Sequence, residues 1–157
     1  MPEEISELLE HLEFFHGYSS GNLETISRYL TRSTVSKGAI IFREGELGNF
    51  MLFIVDGQVS VYKDSESGAN RLLTHEGQGR TVGEMALIDR SYRSATCVAE
   101  RACDILVMTD QSLDRLVSDH PSVAFQFAMS LARLLSQRLR QTSGELVDVL
   151  IEAYMNH

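Results

Sequence analysis

The sequence predicts an α+β fold that is mainly β: a β-roll of the jelly-roll kind, flanked by N-terminal helices and long C-terminal helices. Three observations predict it. Apolar residues recur at helical spacing at both ends of the chain, whereas the middle breaks into short β-type runs. Glycines at 38, 45, 48, 57, 68, 77, 79 and 83 punctuate those runs at the interval expected of a sandwich or barrel. No internal repeat or low-complexity segment interrupts the series. The chain therefore divides into helices over 3–30, a β-roll over 31–109, C-terminal helices over 110–142, and a C-terminal helical tail over 143–157.

Each element has a local cause. Ile5, Leu8, Leu9 and Leu12 share one face of a first helix whose other side is acidic. Ser19-Ser20 offers a cap for a second, in which Leu23, Ile26 and Leu30 repeat. From Thr31 onward AIIF, FMLFIV, QVSVYK and RLLTH read as strands. In QVSVYK, Val59, Val61 and Lys63 alternate with Ser60 and Tyr62, the pattern of one buried face. Asp56-Gly57 is a strong hairpin signal between FMLFIV and QVSVYK, and Glu66-Ser67-Gly68 marks another tip. RSATCVA and CDILVM read as a final strand pair. After Thr109 a short helix stops at His120-Pro121, where proline opens the next one. There Phe127, Leu131, Leu134, Leu135, Leu139, Leu146, Val149 and Leu150 outline an apolar stripe that weakens near Gly144.

Composition narrows the function. A chain of 157 residues suits one domain with a real core. A net charge of −8 argues against general nucleic-acid binding, which needs clustered Lys and Arg. The acidic, amphipathic N-terminus is unlike a signal peptide, and no apolar run is long enough to cross a bilayer, so the expected location is cytoplasmic. Five scattered histidines lack ligand spacing, and no metal site is expected. No nucleophile elbow or Walker-type loop is present. Cys97 and Cys103 read as buried structural thiols. If Glu100-Arg101 form a two-residue turn, the two sulfurs fall on opposite faces of the sheet.

The stretch GEMALIDRSYRSATCVA, from Gly83 to Ala99, carries the chemistry. Gly83 lets the backbone approach a ligand closely. Glu84-Met85-Ala86-Leu87 can form one helical turn whose free N–H groups favour an anion. Arg93 adds a planar cationic fork suited to two phosphate oxygens, and Ser94 adds a hydroxyl and an amide. Glu84 suits a sugar hydroxyl. One arginine for a phosphate and one acid for a ribose describe a nucleotide with a single phosphate charge. The structural alternative is that Arg93 pairs with Glu84 or Asp89 inside the roll, and spacing alone leaves both open.

This stretch resembles the phosphate-binding cassette of the cyclic nucleotide-binding domain family, of the catabolite activator and cyclic AMP-dependent kinase regulatory subunit type. KGAIIFREGELGNFMLFIVDGQVSVY resembles the family's first strands, and the likeness covers roughly residues 10–140. Val82 and Tyr92 depart from the family's usual phenylalanine and proline, without removing a ligand-contacting group.

The resemblance implies an eight-stranded roll that binds a cyclic nucleotide as ligand, needs no cofactor and is not an enzyme. It implies that Gly83, Met85 and Ala86 present backbone to the ligand, that Glu84 holds the ribose 2′-hydroxyl, and that Arg93, Ser94 and the adjoining Ala95 surround the cyclic phosphate. Arg133, Arg138, Thr142 and Ser143 are the candidates for covering the base. Cyclic AMP is the expected ligand ahead of cyclic GMP. The C-terminal helices are expected to change their packing on binding and to pair in a homodimer, with an unidentified protein downstream. Too little chain follows Thr142 for a helix-turn-helix reader, so direct DNA binding is not expected. Two rivals are a β-roll interaction module that binds no nucleotide and a cupin-type enzyme, which would need a histidine and carboxylate cluster that the sequence does not display.

Overall fold

A computed structural model describes residues 2–64, 68 and 70–156, so Glu66 and Ser67 of the expected hairpin tip lie outside the described residues. The elements run α1 (Pro2–Glu10), a 3-10 turn (Glu13–Phe15), α2 (Ser20–Ser27), β1 (Thr31–Val35), β2 (Ile40–Phe42), β3 (Phe50–Asp56), β4 (Val59–Asp64), β5 (Asn70–Glu76), β6 (Thr81–Val82), α3 (Glu84–Asp89), β7 (Thr96–Ala99), β8 (Cys103–Thr109), α4 (Asp110–Asp119) and α5 (Pro121–Met155). Helices, eight strands and long helices follow one another as expected. The strands form two antiparallel four-stranded sheets, ordered β1-β8-β3-β6 and β2-β7-β4-β5.

β3, inside the first sheet, is buried on both faces, which explains why FMLFIV shows no alternation. Met51 and Phe53 of β3 pack with Leu106 and Met108 of β8 against the helices, where they meet Leu9, Ile26, Leu116 and Phe127. Leu52 and Ile54 face the other sheet with Ile105, Val59, Cys97 and Phe42. Phe14 and Phe15 stack edge-on near Phe53, with ring centroids 5.1 Å away in each case. α2 is capped as read, Ser19 Oγ accepting from the Asn22 amide at 3.1 Å, and α4 is capped by Thr109, whose Oγ1 accepts from the Ser112 amide at 3.1 Å. Proline opens α5.

Three local expectations are corrected. β3 and β4 do not form a hairpin, because Asp56-Gly57 carries the chain from one sheet to the other. Gly57 has φ 129°, and a Cβ there would lie 2.5 Å from Cys103 Sγ and 2.8 Å from Cys103 Cα. β4 pairs instead with β5 and β7. Likewise β7 and β8 are not partners: β7 pairs with β2 and β4, and β8 with β1 and β3. Cys97 and Cys103 consequently face each other's layer across one core instead of lying on opposite faces of one sheet. Both are buried free thiols, in keeping with a structural role. In β4, Ser60 is as buried as Val59, because its hydroxyl is taken up by Glu100 and by His75 Nδ1 at 3.2 Å.

α5 runs unbroken for 35 residues, straight through Gly144 and the 142/143 boundary. Its first half packs on the roll through Val123, Ala124, Phe127 and Leu131. Beyond Arg138 every described residue is exposed. No helix among the described residues is long and apolar enough to cross a membrane.

Candidate functional site

The segment around Arg93 is held by a backbone zipper. Arg93 N donates to Glu46 O at 2.6 Å, Gly45 N to Arg93 O at 2.9 Å, and Gly48 N to Ser91 O at 3.0 Å. The loop between β2 and β3 is thereby fastened along residues 91–93. Space explains one of its glycines: a Cβ on Gly48 would sit 2.2 Å from Ala86 Cβ and 3.1 Å from Arg93 Nε. Gly83, which precedes α3, has φ 83°, and a Cβ there would lie 2.5 Å from Arg93 Nη1. Close approach to the guanidinium is thus the common reason for both glycines.

Arg93 is only 4% exposed. Its Nη1 donates to Gly83 O at 3.1 Å and its Nη2 to Phe50 O at 2.6 Å. Its Cζ lies 4.1 Å from the centroid of Phe42 and 4.6 Å from that of Phe50. Carbonyl oxygens and ring faces thus orient the group while taking only two of its five N–H donors. Among the described residues no carboxylate forms an ion pair with it. Burial pulls its pKa below the usual guanidinium range, against the smaller opposing effects of Cys97, Glu46 and Glu84. It nevertheless stays charged at neutral pH. A buried cation without an acid is unfavourable unless something else supplies the negative charge. The pairing with Glu84 or Asp89 left open by the sequence is not formed.

Glu84 has a different partner. It is 4% exposed, and its Oε1 forms an ion pair with Arg138 Nη1 from α5. Arg138 Nη2 also reaches Thr81 O at 3.0 Å and Thr81 Oγ1 at 3.3 Å, and that hydroxyl donates to Glu84 Oε2 at 3.4 Å. The long helix is therefore fastened to the first residue of α3 by a side chain.

Gly83, Glu84, Met85, Ala86, Arg93, Ser94, Ala95 and Arg138 line one cavity of about 340 Å³, within the range of small-molecule sites. Met85 is 59% exposed at its mouth. The other candidates on α5 lie elsewhere. Arg133 faces a separate cleft, and Thr142 and Ser143 are exposed on the helix beyond the cavity. Sequence reasoning missed Phe42 and Phe50, whose rings flank the guanidinium, and Thr74 and Glu76, which line the wall formed by β5. A strand aromatic reads as core, so only the pairing of β2 with β7 could have drawn Phe42 to Arg93. Among the described residues no group of three or more His, Cys, Asp or Glu is placed to hold a metal.

The chain resembles known proteins in sequence and in fold. The family model described as cyclic nucleotide-binding domain matches residues 32–120. The chain is 32% identical over 132 residues to the cyclic AMP receptor protein of Thermus thermophilus, covering 84% of this chain and 59% of that one. It is 25% identical over 146 residues to a CRP-like cAMP-activated global transcriptional regulator of Mycobacterium tuberculosis, covering 93% and 63%. The chain thus spans about three fifths of the length of these curated relatives. Among solved structures, a cyclic nucleotide-binding domain from Methylobacillus flagellatus superposes with a TM-score of 0.81 at 27% identity, covering 93% of this chain and 82% of that one. The catabolite activator protein of Thermus thermophilus gives 0.76 at 31% identity, covering 87% and 62%.

Proposed function

The chain belongs to the cyclic nucleotide-binding domain family, and from that premise we propose that it is a regulatory sensor whose ligand is cyclic AMP in preference to cyclic GMP. The observation that carries the proposal is the buried Arg93 guanidinium, oriented by carbonyls and rings yet without a carboxylate. A cyclic phosphate diester brings the single negative charge that such a group lacks. Arg93 donates to its oxygens, Ser94 adds its hydroxyl and amide, and the backbone of Gly83, Met85, Ala86 and Ala95 closes around it. Glu84 accepts from the ribose 2′-hydroxyl, while Arg138 acts as a positioning residue that holds the carboxylate in place. The role is recognition rather than catalysis. Preference for cyclic AMP is supported by the two curated relatives, whose names attach them to that nucleotide.

Two consequences belong to the same reading. Because Glu84 is tied to Arg138, a sugar that engages Glu84 alters the anchor of α5, so ligand binding and helix packing are linked. Residues 1–142 would then form the sensing unit, with 143–157 prolonging α5 as a dimerisation tail. The outer face of α5 supports a homodimer. Phe125, Met129, Ala132, Ser136, Leu139, Ser143, Leu146 and Leu150 are spaced alternately by four and three residues, and all are exposed. That is the spacing of a two-stranded coiled-coil seam, on the side of the helix that the roll does not cover.

Titration calorimetry tests the ligand assignment. Cyclic AMP is expected to bind more tightly than cyclic GMP, and Arg93→Ala to weaken cyclic AMP by about 10- to 100-fold, the range of a charge-assisted hydrogen bond lost. Equal binding by Arg93→Ala, or no heat with either nucleotide, would overturn it.

A further inference from the structure

Beside the nucleotide cavity, and sharing Thr81 and Arg138 with it, lies a second cleft of about 250 Å³, walled by the 3-10 turn, by the loop at Gly79 and Arg80, and by α5. Its lining carries the guanidinium groups of Arg80, Arg133 and Arg138 and the imidazole of His16, against the single carboxylate of Glu13. Guanidiniums outnumber carboxylates in this lining, in a chain whose net charge is −8, while Arg80 and Arg138 each hold an acid outside it, Glu76 and Glu84. Arg80 is linked to Glu76 at 3.3 Å, but Arg133 forms no ion pair among the described residues. The hydroxyl of Ser130, bonded to Tyr18 at 2.6 Å, adds a neutral polar group on the floor. Arg138 lines this cleft as well as the nucleotide cavity, and it hydrogen-bonds to Glu84, on the cavity side, and to Thr81, which lines both.

We propose that this cleft binds a phosphate dianion, free or as a phosphomonoester, between Arg80 and Arg133, and that the dianion competes with Glu84 for Arg138. Two guanidinium forks on opposite walls match the oxygens of a compact dianion better than those of a monovalent carboxylate. Attraction of Arg138 toward the cleft deprives buried Glu84 of its counter-ion and makes it a poorer acceptor for a sugar hydroxyl. The coupling half of the proposal rests on the nucleotide reading; the site itself does not. By linkage, the dianion and the nucleotide weaken each other by the same factor.

Calorimetry at constant ionic strength, balanced with chloride, tests the site with inorganic phosphate and glycerol 3-phosphate as the free and esterified probes. Binding of either probe is expected to survive Arg93→Ala and to weaken about tenfold in Arg133→Gln. A probe that binds only as the ester assigns the source to a phosphorylated metabolite. Saturating phosphate is expected to raise the Kd for cyclic AMP about fivefold, to a plateau, in the wild type and not in Arg133→Gln. Phosphate binding lost in Arg93→Ala but kept in Arg133→Gln, or no binding at all, would place the anion in the nucleotide cavity or nowhere and overturn the site. A chain that binds phosphate through Arg133 yet ignores both cyclic nucleotides upholds the site and fails only the nucleotide reading.

Discussion

At the scale of single residues, the electrostatics of the roll interior are set by how little water reaches it. Arg93 keeps its charge there because carbonyl dipoles and ring faces replace part of its hydration. Cys97 shows the opposite outcome one core layer away. Burial pushes its thiol up to about 12, with Cys103 adding to the shift and Arg93 opposing it. The unfolded thiol ionises near its ordinary value, so above about pH 9 the unfolded state binds fewer protons than the folded one. Stability is therefore expected to fall as the pH rises from about 9 toward 12, by at most about 1.4 kcal/mol per unit from this group. Urea midpoints of the wild type and Cys97→Ala, compared from pH 8 to pH 11, check it: the wild type loses more. Arg93 and Glu84 were singled out in the sequence by residue type and by the likeness of their segment to the family's cassette, while spacing alone left Arg93 open between a ligand and a carboxylate. Arg138 was read as one of four candidates for covering the base, and its ion pair with Glu84 was not legible, since spacing along α5 does not tell which turn meets the cavity.

At the scale of elements, the strand positions were readable and their partners were not. Period and punctuation found AIIF, FMLFIV, QVSVYK and RLLTH, all of which lie in strands. Asp56-Gly57 was read as a hairpin tip, and the chain instead passes there from one sheet to the other. Whether a reversal closes a hairpin or crosses between layers depends on contacts distant in sequence, here the packing of Gly57 against Cys103. The same holds for Glu100-Arg101, where Glu100 N donates to Gln58 O at 2.9 Å instead of closing a turn between β7 and β8. Gly57→Ala is expected to destabilise the fold by at least about 2 kcal/mol, because it combines an unfavourable φ with overpacking against Cys103. Urea unfolding measures this, and a loss below about 0.5 kcal/mol would show that the crossing has room to adjust.

At the scale of the whole molecule, the division of α5 into a packed half and an exposed half decides what assembly is favourable. Leu139, Leu146 and Leu150 are each more than half exposed, and a single chain leaves them in water. Leu139→Glu combined with Leu150→Glu is expected to convert a dimer to a monomer in sedimentation velocity, with the far-UV helix signal of the roll-packed segments retained. A wild-type chain that sediments as a monomer at high micromolar concentration would remove the seam from the account. The apolar stripe of the sequence thus held two instructions, burial on the roll before Arg138 and an outward face after it, and periodicity alone could not separate them.

Uninterrupted winding through Gly144 makes α5 a lever arm with its fulcrum at the Glu84 contact. From Arg138 to Met155 the arm extends roughly 26 Å, so a tilt of about 10° at the fulcrum sweeps its far end through about 4 Å. On the proposed reading, a sub-ångström adjustment beside a bound sugar would be magnified mechanically, without any hinge, into a displacement large enough for another protein to read.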